Sequence, residues 1–158
     1  MQLFIMRHGD ASMIAQTDAQ RPLTGQGIAE SRLMGKWLKS LNVNIEHLII
    51  SPYLRAQQTS AELLAELGYK PKCETINIIT PSGNAAQVHD YIDGFIETNH
   101  CQHLLIITHM PLVSYLVAEL TVDQQSPIFQ TAAIAQIDYD KNNMNGKLIR
   151  LVSPPDHG

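Results

Sequence analysis

Leu104-Leu105-Ile106-Ile107-Thr108 is an unbroken apolar run of strand length that stops at His109. A strand with one wet face alternates apolar and polar side chains, whereas a run without alternation is covered on both faces, as in the centre of a parallel sheet. Residues 2–6 read the same way, and Ile45–Ile50 is the next strand. Helical spacing fills the intervals. Thr24 caps a helix over about 25–40, and Ser51-Pro52 opens one that runs to Gly68 with Pro52 in its first turn. A third helix covers about 84–97, and Pro111 opens a fourth. Thr75–Ile79 is a short strand candidate cut off by Thr80-Pro81-Ser82-Gly83, and 132–138 with 147–152 read as a hairpin around Asn145-Gly146. Strands alternating with helices, then a terminal hairpin, predict a three-layer α/β/α sandwich with a mainly parallel sheet and a C-terminal β-hairpin.

The 158 residues are expected to form a single domain, 1–158, with 44% hydrophobic and 16% charged residues, well inside the globular range. A net charge of -4 offers no broad basic surface for nucleic acid, so any anion site is a local cluster of cations. The first six residues lack the charged flank and cleavage site of a signal peptide, and no run is long enough for a transmembrane helix. Cys73 and Cys101 are isolated, which points to reduced thiols in a cytoplasmic protein, although sequence alone leaves a disulfide between them open. A monomer is the simplest expectation for a chain of this size.

Ligands of open α/β sheets bind beyond the carboxyl ends of the strands. Three of the strands end at Arg7-His8, Ser51-Pro52 and Thr108-His109, so two imidazoles, Arg7 and Arg55 are delivered to one edge. Gly9 lets another group approach the backbone beside His8, and helix amino ends at Pro52 and Pro111 add partial positive charge. Such an edge suits a phosphoryl group. Arg21 closes the polar loop from Arg7 to Pro22, and either contacts substrate or pairs with Asp10 or Asp18. Thr24 and Gly27 read as a cap and a close-packing site, and Ser51 as a cap for the following helix. His47, His89, His100, His103 and His157 read as surface or core residues. No histidine pair has the i, i+4 spacing of a helical zinc site, and the arginines repel cations, so no metal and no cofactor is expected.

Arg7-His8-Gly9, Leu23-Thr24-x-x-Gly27, Ser51-Pro52-x-x-Arg55-Ala56-x-Gln58-Thr59 and Thr108-His109 stand in order between residue 2 and about 117. Together they resemble the signature of the histidine phosphatase superfamily, the phosphoglycerate-mutase-like fold. With Arg21-Pro22-Leu23-Thr24 and His109-Met110-Pro111-Leu112-Val113, the short chain resembles most the bacterial SixA-type protein phosphohistidine phosphatases. The resemblance implies catalysis by His8, Arg7, Arg55 and His109. His8 would be the nucleophile that forms a phosphohistidine for water to hydrolyse. Arg7, Arg55 and His109, with Arg21 on the rim, would bind the phosphate or sulfate anion. Two guanidiniums beside His8 would disfavour its protonation and keep a lone pair available.

The chain departs from the superfamily's ester-cleaving members. These supply a carboxylic acid after the second histidine or in the loop after the third strand, but Met110 follows His109 and residues 77–84 hold no carboxylate. An alkoxide needs that proton far more than an imidazole leaving from a phosphoramidate does, so phosphohistidine is the expected substrate. Glu74 and Asp10 are the remaining candidate acids. No insertion is long enough to cap the site, and the implied partner is a phosphorylated histidine-phosphotransfer or phosphocarrier protein. The alternatives are a small-molecule phosphomonoesterase of the same superfamily and a non-catalytic phosphate-binding adaptor.

Overall fold

A computed structural model describes residues 1–155. The strands are β1 (Gln2–Arg7), β2 (His47–Ile50), β3 (Lys72–Thr75), β4 (His103–Thr108), β5 (Ile134–Asp140) and β6 (Asn145–Val152). The helices are α1 (Gly25–Ser40), α2 (Leu54–Leu67), α3 (Ala85–Asn99) and α4 (Leu112–Leu120), with a 3-10 turn at Asp18–Gln20. One sheet holds the strands in the order β3-β2-β4-β1-β5-β6. The first four strands pair in parallel, and β5 and β6 join antiparallel at one side.

The apolar run forms a central strand: β4 lies between β2 and β1 and is buried on both faces. Successive side chains serve opposite layers. Leu3, Ile5, Leu104 and Ile106 pack with Val88 and Ile92 of α3 and Leu116 and Leu120 of α4. Phe4, Met6, Leu105 and Ile107 pack with Met34 and Leu38 of α1 and Leu63 and Leu67 of α2. Each such side chain contributes about 1.5–3 kcal/mol of transfer free energy, so neither face can be surrendered to water.

Parallel register aligns the strand ends. Arg7 pairs with Thr108, and Ile50 with Ile107, so His8, Ser51 and His109 emerge side by side. Caps set the helix starts and stops. The Thr24 hydroxyl accepts the Gly27 N–H, the Asn84 side chain accepts the Gln87 N–H, and α2 ends at Gly68 with a left-handed φ of 79°.

Four boundaries differ from the sequence reading. α2 begins at Leu54 with Tyr53 as its N-cap, so Ser51-Pro52 forms the turn ahead of the helix instead of its first turn. Pro111 likewise occupies the N-cap of α4. β3 is Lys-Cys-Glu-Thr, an exposed edge strand, whereas the apolar residues of 75–79 leave the sheet. Ile79 goes fully into the α3/α4 core, and its carbonyl accepts the Thr108 hydroxyl. The hairpin turn is residues 141–144, with Asn142 and Asn143 N–H groups on the Asp140 carboxylate. Asn145-Gly146 already belongs to β6, where a Cβ on Gly146 would come within 2.3 Å of the Asp138 carbonyl oxygen. Both thiols are free, Cys73 exposed and Cys101 buried. Among the described residues no helix is long and apolar enough to cross a membrane.

The loop after β1 lies directly on the start of α1. A Cβ on Gly27 would sit 2.1 Å from the Asp10 carbonyl oxygen, and one on Gly9 would sit 2.6 Å from the Gly27 carbonyl oxygen. Gly27→Ala is therefore expected to cost about 1–3 kcal/mol by overpacking. In urea unfolding the midpoint falls and the slope is unchanged; a wild-type midpoint would contradict this packing.

Candidate active site

His8 is the first residue beyond β1. Its backbone N–H donates to the Thr108 carbonyl and its own carbonyl accepts from Ala132, which ties the residue into the sheet end. Its ring is pinned from both sides. Nδ1 lies 2.7 Å from the Gly9 carbonyl oxygen, and Nε2 receives the Arg55 Nε–H at 3.2 Å. A carbonyl only accepts and a guanidinium only donates. Both contacts therefore require the same tautomer, with the proton on Nδ1 and the lone pair on Nε2.

Burial does most of the rest. His8 is 6% exposed. Its pKa falls to about 4, first because burial disfavours the cation and then through Arg55, Arg7 and Arg21, with the Gly9 hydrogen bond opposing. The arginines act in the expected direction, but desolvation is the larger cause.

Arg55 stands in the first turn of α2 and is 4% exposed. Its Nη1 donates to the Asp18 carbonyl at 2.6 Å and its Nη2 to Asp18 Oδ2 at 3.2 Å, while the guanidinium lies 5.1 Å from the Tyr53 ring centre. Thr59, one helical turn later, bonds its hydroxyl to the Arg55 carbonyl and accepts the Gly9 N–H. Helix α2 thus holds the arginine and the nucleophile's loop together.

His109 follows β4 and is 1% exposed, its ring centre 5.0 Å from that of His8. Ser51 Oγ accepts the Tyr53 N–H and lies 2.6 Å from His109 Nε2, a contact in which the serine hydroxyl can donate or accept. When the serine donates, the proton of the neutral imidazole is on Nδ1, which has no partner. Burial, followed by His8 and Arg55, lowers the His109 pKa to about 2, which keeps the ring neutral. Ser51 therefore orients His109 as well as joining the turn before α2.

Arg7 donates Nη1 to the Phe129 carbonyl at 2.8 Å, and its buried Nε has no partner. Burial lowers its pKa, against the opposing pull of Glu30 and Asp10. Arg21 resolves toward the ion pair, with Nη1 3.1 Å from Asp18 Oδ1 and Nε on the Ser12 carbonyl. It reaches the cluster through Asp18. Asp10 is engaged elsewhere, its carboxylate accepting the Thr24 hydroxyl, and Glu74 on exposed β3 accepts the Tyr91 hydroxyl.

Three buried side-chain polar atoms lack partners among the described residues: Arg7 Nε, His109 Nδ1 and the Gln136 Oε1 of β5. An unsatisfied buried polar group costs about 1–3 kcal/mol. Arg7 Nε is a donor, and so is His109 Nδ1 when Ser51 donates to Nε2; an oxyanion would give both an acceptor.

The sequence reading missed Glu30, named Asp18 only as a candidate partner of Arg21, and quoted Thr59 only within a motif. For Asp18, one polar residue in an irregular loop, nothing in the sequence pointed to its contact with Arg55. Glu30 was readable as an acid on the buried stripe of α1, and it accepts the Asp10 N–H and the Thr131 hydroxyl. Thr59 was readable as the residue four positions after Arg55. His47, His89, His100 and His103 lie outside the cluster, against Phe95, among Asp93, Glu119 and Tyr139, at the end of α3 and beside Glu46 respectively. His157 lies outside the described residues. Among the described residues no three histidine, cysteine or carboxylate side chains are placed to share a metal ion.

The model of the histidine phosphatase superfamily (branch 1) matches residues 3–76. The phosphohistidine phosphatase SixA of Escherichia coli is 43% identical over 154 residues, covering 98% of this chain and 94% of its own. The chain belongs to the histidine phosphatase superfamily. A SixA homolog from Haemophilus influenzae is 38% identical over 90% of each chain. The structure of the protein histidine phosphatase SixA complexed with tungstate superposes with a TM-score of 0.92 at 43% identity, covering 98% of this chain and 97% of that one. A putative α-ribazole-5'-P phosphatase from E. coli, at 18% identity and a TM-score of 0.74, shares the superfamily's fold.

The low pKa of His8 is directly measurable. Its ring resonances should titrate with a midpoint near pH 4, while an unfolded histidine titrates near 6.5. Stability due to this residue is complete above the unfolded value and is lost as pH falls toward the folded one, because only the unfolded chain takes up the proton in between. A ring midpoint near 6.5 in the folded protein would contradict the burial and contacts described.

Proposed function

We infer that this protein is a phosphohistidine phosphatase, and that His8 carries the phosphoryl group between substrate and water. What supports this most is a lone pair on His8 Nε2 in a cluster where two buried nitrogens, Arg7 Nε and His109 Nδ1, have no partner. A phosphoryl oxygen on each donor places phosphorus next to Nε2. Arg55 Nε–H, which donates to that lone pair, transfers to a third oxygen when attack begins.

In the first step the P–Nε2 bond forms and the substrate's P–N bond breaks, its electron pair going to the departing imidazole. His8 becomes a phosphorylated imidazolium whose Nδ1–H still donates to the Gly9 carbonyl, which stabilises the new positive charge. Water then attacks phosphorus, and His8 returns to its neutral tautomer as phosphate leaves. Phosphoryl transfer is loose, so catalysis is chiefly placement and charge stabilisation, for which the three donors of Arg7, Arg55 and His109 suffice.

Phosphoramidates are favoured over esters by the same arrangement. Met110 stands where ester-cleaving relatives carry an acid, and Asp10 and Glu74 are committed to Thr24 and Tyr91. By analogy with the SixA relatives, the substrate is a phosphohistidine on a histidine-phosphotransfer or phosphocarrier protein, which a single domain without a cap admits to the site. Free thiols at Cys73 and Cys101 fit a reducing cytoplasm, and a monomer is sufficient for the chemistry.

His8→Ala is expected to abolish turnover. With wild-type protein, rapid quenching after a phosphodonor should trap an acid-labile, base-stable phosphoryl group that His8→Ala lacks; an active His8→Ala protein would refute the mechanism. Arg55→Ala should lose about 10²–10³-fold in kcat/KM, the scale of one transition-state donor, with an unchanged circular dichroism spectrum.

A further inference from the structure

Transfer between His8 and a substrate imidazole places the attacking and departing nitrogens on opposite sides of phosphorus. His8 forms the buried floor, so the departing ring faces the mouth, where the loop between Arg7 and Pro22 holds Asp18. That carboxylate contacts Arg21 Nη1 through Oδ1 at 3.1 Å and Arg55 Nη2 through Oδ2 at 3.2 Å, yet the side chain is 55% exposed. Arg55 acts as a ruler. Its Nε touches His8 Nε2 and its far nitrogens touch Asp18, so the carboxylate stands one guanidinium away from the nucleophile on the solvent side.

We propose that Asp18 selects an imidazole leaving group by accepting the N–H on the far nitrogen of the substrate's phosphorylated ring. The proposal rests on the phosphohistidine reading above and names the residue that gives it specificity. Of the charged groups at the mouth, Arg21 only donates and Asp18 only accepts. A carboxylate has about four lone-pair sites, so two arginine contacts leave room for a third donor.

The chemistry explains why such an acceptor matters. When the P–N bond breaks, the electron pair returns to the ring. The ring departs as neutral imidazole only if its far nitrogen keeps its proton; without that proton the leaving group is imidazolate. Asp18 holds the proton in place and no proton moves during cleavage. The substrate begins as a phosphorylated imidazolium and ends as imidazole, while His8 makes the reverse change. Burial tends to raise the Asp18 pKa, but hydrogen bonds from Arg21 and Arg55 outweigh it, so the carboxyl stays ionised. An ester offers no N–H and meets only negative charge. The missing general acid and the presence of Asp18 are thus two sides of one specificity.

The test compares phosphoimidazole with 4-nitrophenyl phosphate on wild type and Asp18→Asn, which keeps the side chain's size and one oxygen. The kcat/KM ratio, phosphoimidazole over aryl ester, should fall at least tenfold in the variant. Parallel loss on both substrates would mean that Asp18 only orients Arg55, and parallel gain that it merely plugs the site; either overturns the proposal and leaves the function standing. A second measurement needs no variant. Wild type should cleave 1-phospho-3-methylimidazolium, which has no N–H, at least tenfold less efficiently than phosphoimidazole, and equal efficiency overturns the proposal. Wild type inert toward phosphoimidazole would overturn the function itself.

Discussion

The hydrogen bond from His8 Nδ1–H to the Gly9 carbonyl is the contact on which the chemistry depends. It decides which nitrogen is nucleophilic, holds the ring at the floor of the site, and places a carbonyl dipole where positive charge develops after phosphorylation. A histidine in water exchanges tautomers and protonates near neutral pH. Here one backbone oxygen, one guanidinium and burial remove those freedoms together. The backbone oxygen is itself fixed, because the Gly9 N–H is held by Thr59 and the Gly9 Cα lies against Gly27.

The fold supplies this arrangement through register. Neighbouring parallel strands that end level with one another must project their following residues into the same space, and β1, β4 and β2 do so with His8, His109 and Ser51. Each then acquires a partner from a helix start: Arg55 for His8, and Tyr53 through Ser51 for His109. Glu30 completes the scaffold behind the loop, its buried carboxylate joining the Asp10 amide to Thr131 and pulling electrostatically on Arg7. The site therefore combines rigid strand ends with one irregular segment, residues 11–20, that carries the exposed charge of Asp18.

Sequence revealed what burial dictates. Strands covered on both faces announce themselves as apolar runs, and their ends, together with the motif resemblance, pointed to His8, Arg55 and His109. Positions governed by local backbone geometry or by the solvent side were illegible. β3 is an edge strand of Lys-Cys-Glu-Thr with no apolar period, and the isoleucines that resembled a strand are core plugs in the next loop. Asn145-Gly146 looked like a turn, but the turn lies before it and the glycine serves a close approach to Asp138. The depressed basicity of His8 was anticipated from its arginines, whereas its main cause, desolvation, depends on packing that only coordinates reveal. Asp18 belongs to the same class: its meaning comes from Arg55 and Arg21, both remote from any pattern in the loop itself.

The central claim is that Nε2 of His8 and the partnerless donors of Arg7 and His109 converge on one phosphoryl group. A crystal structure of the protein with orthovanadate tests it most directly. The prediction is a vanadium centre bonded to Nε2, with its oxygens on Arg7 Nε, Arg55 Nε and His109 Nδ1. Vanadate bound through Nδ1, or seated elsewhere with those donors still unpaired, would contradict it.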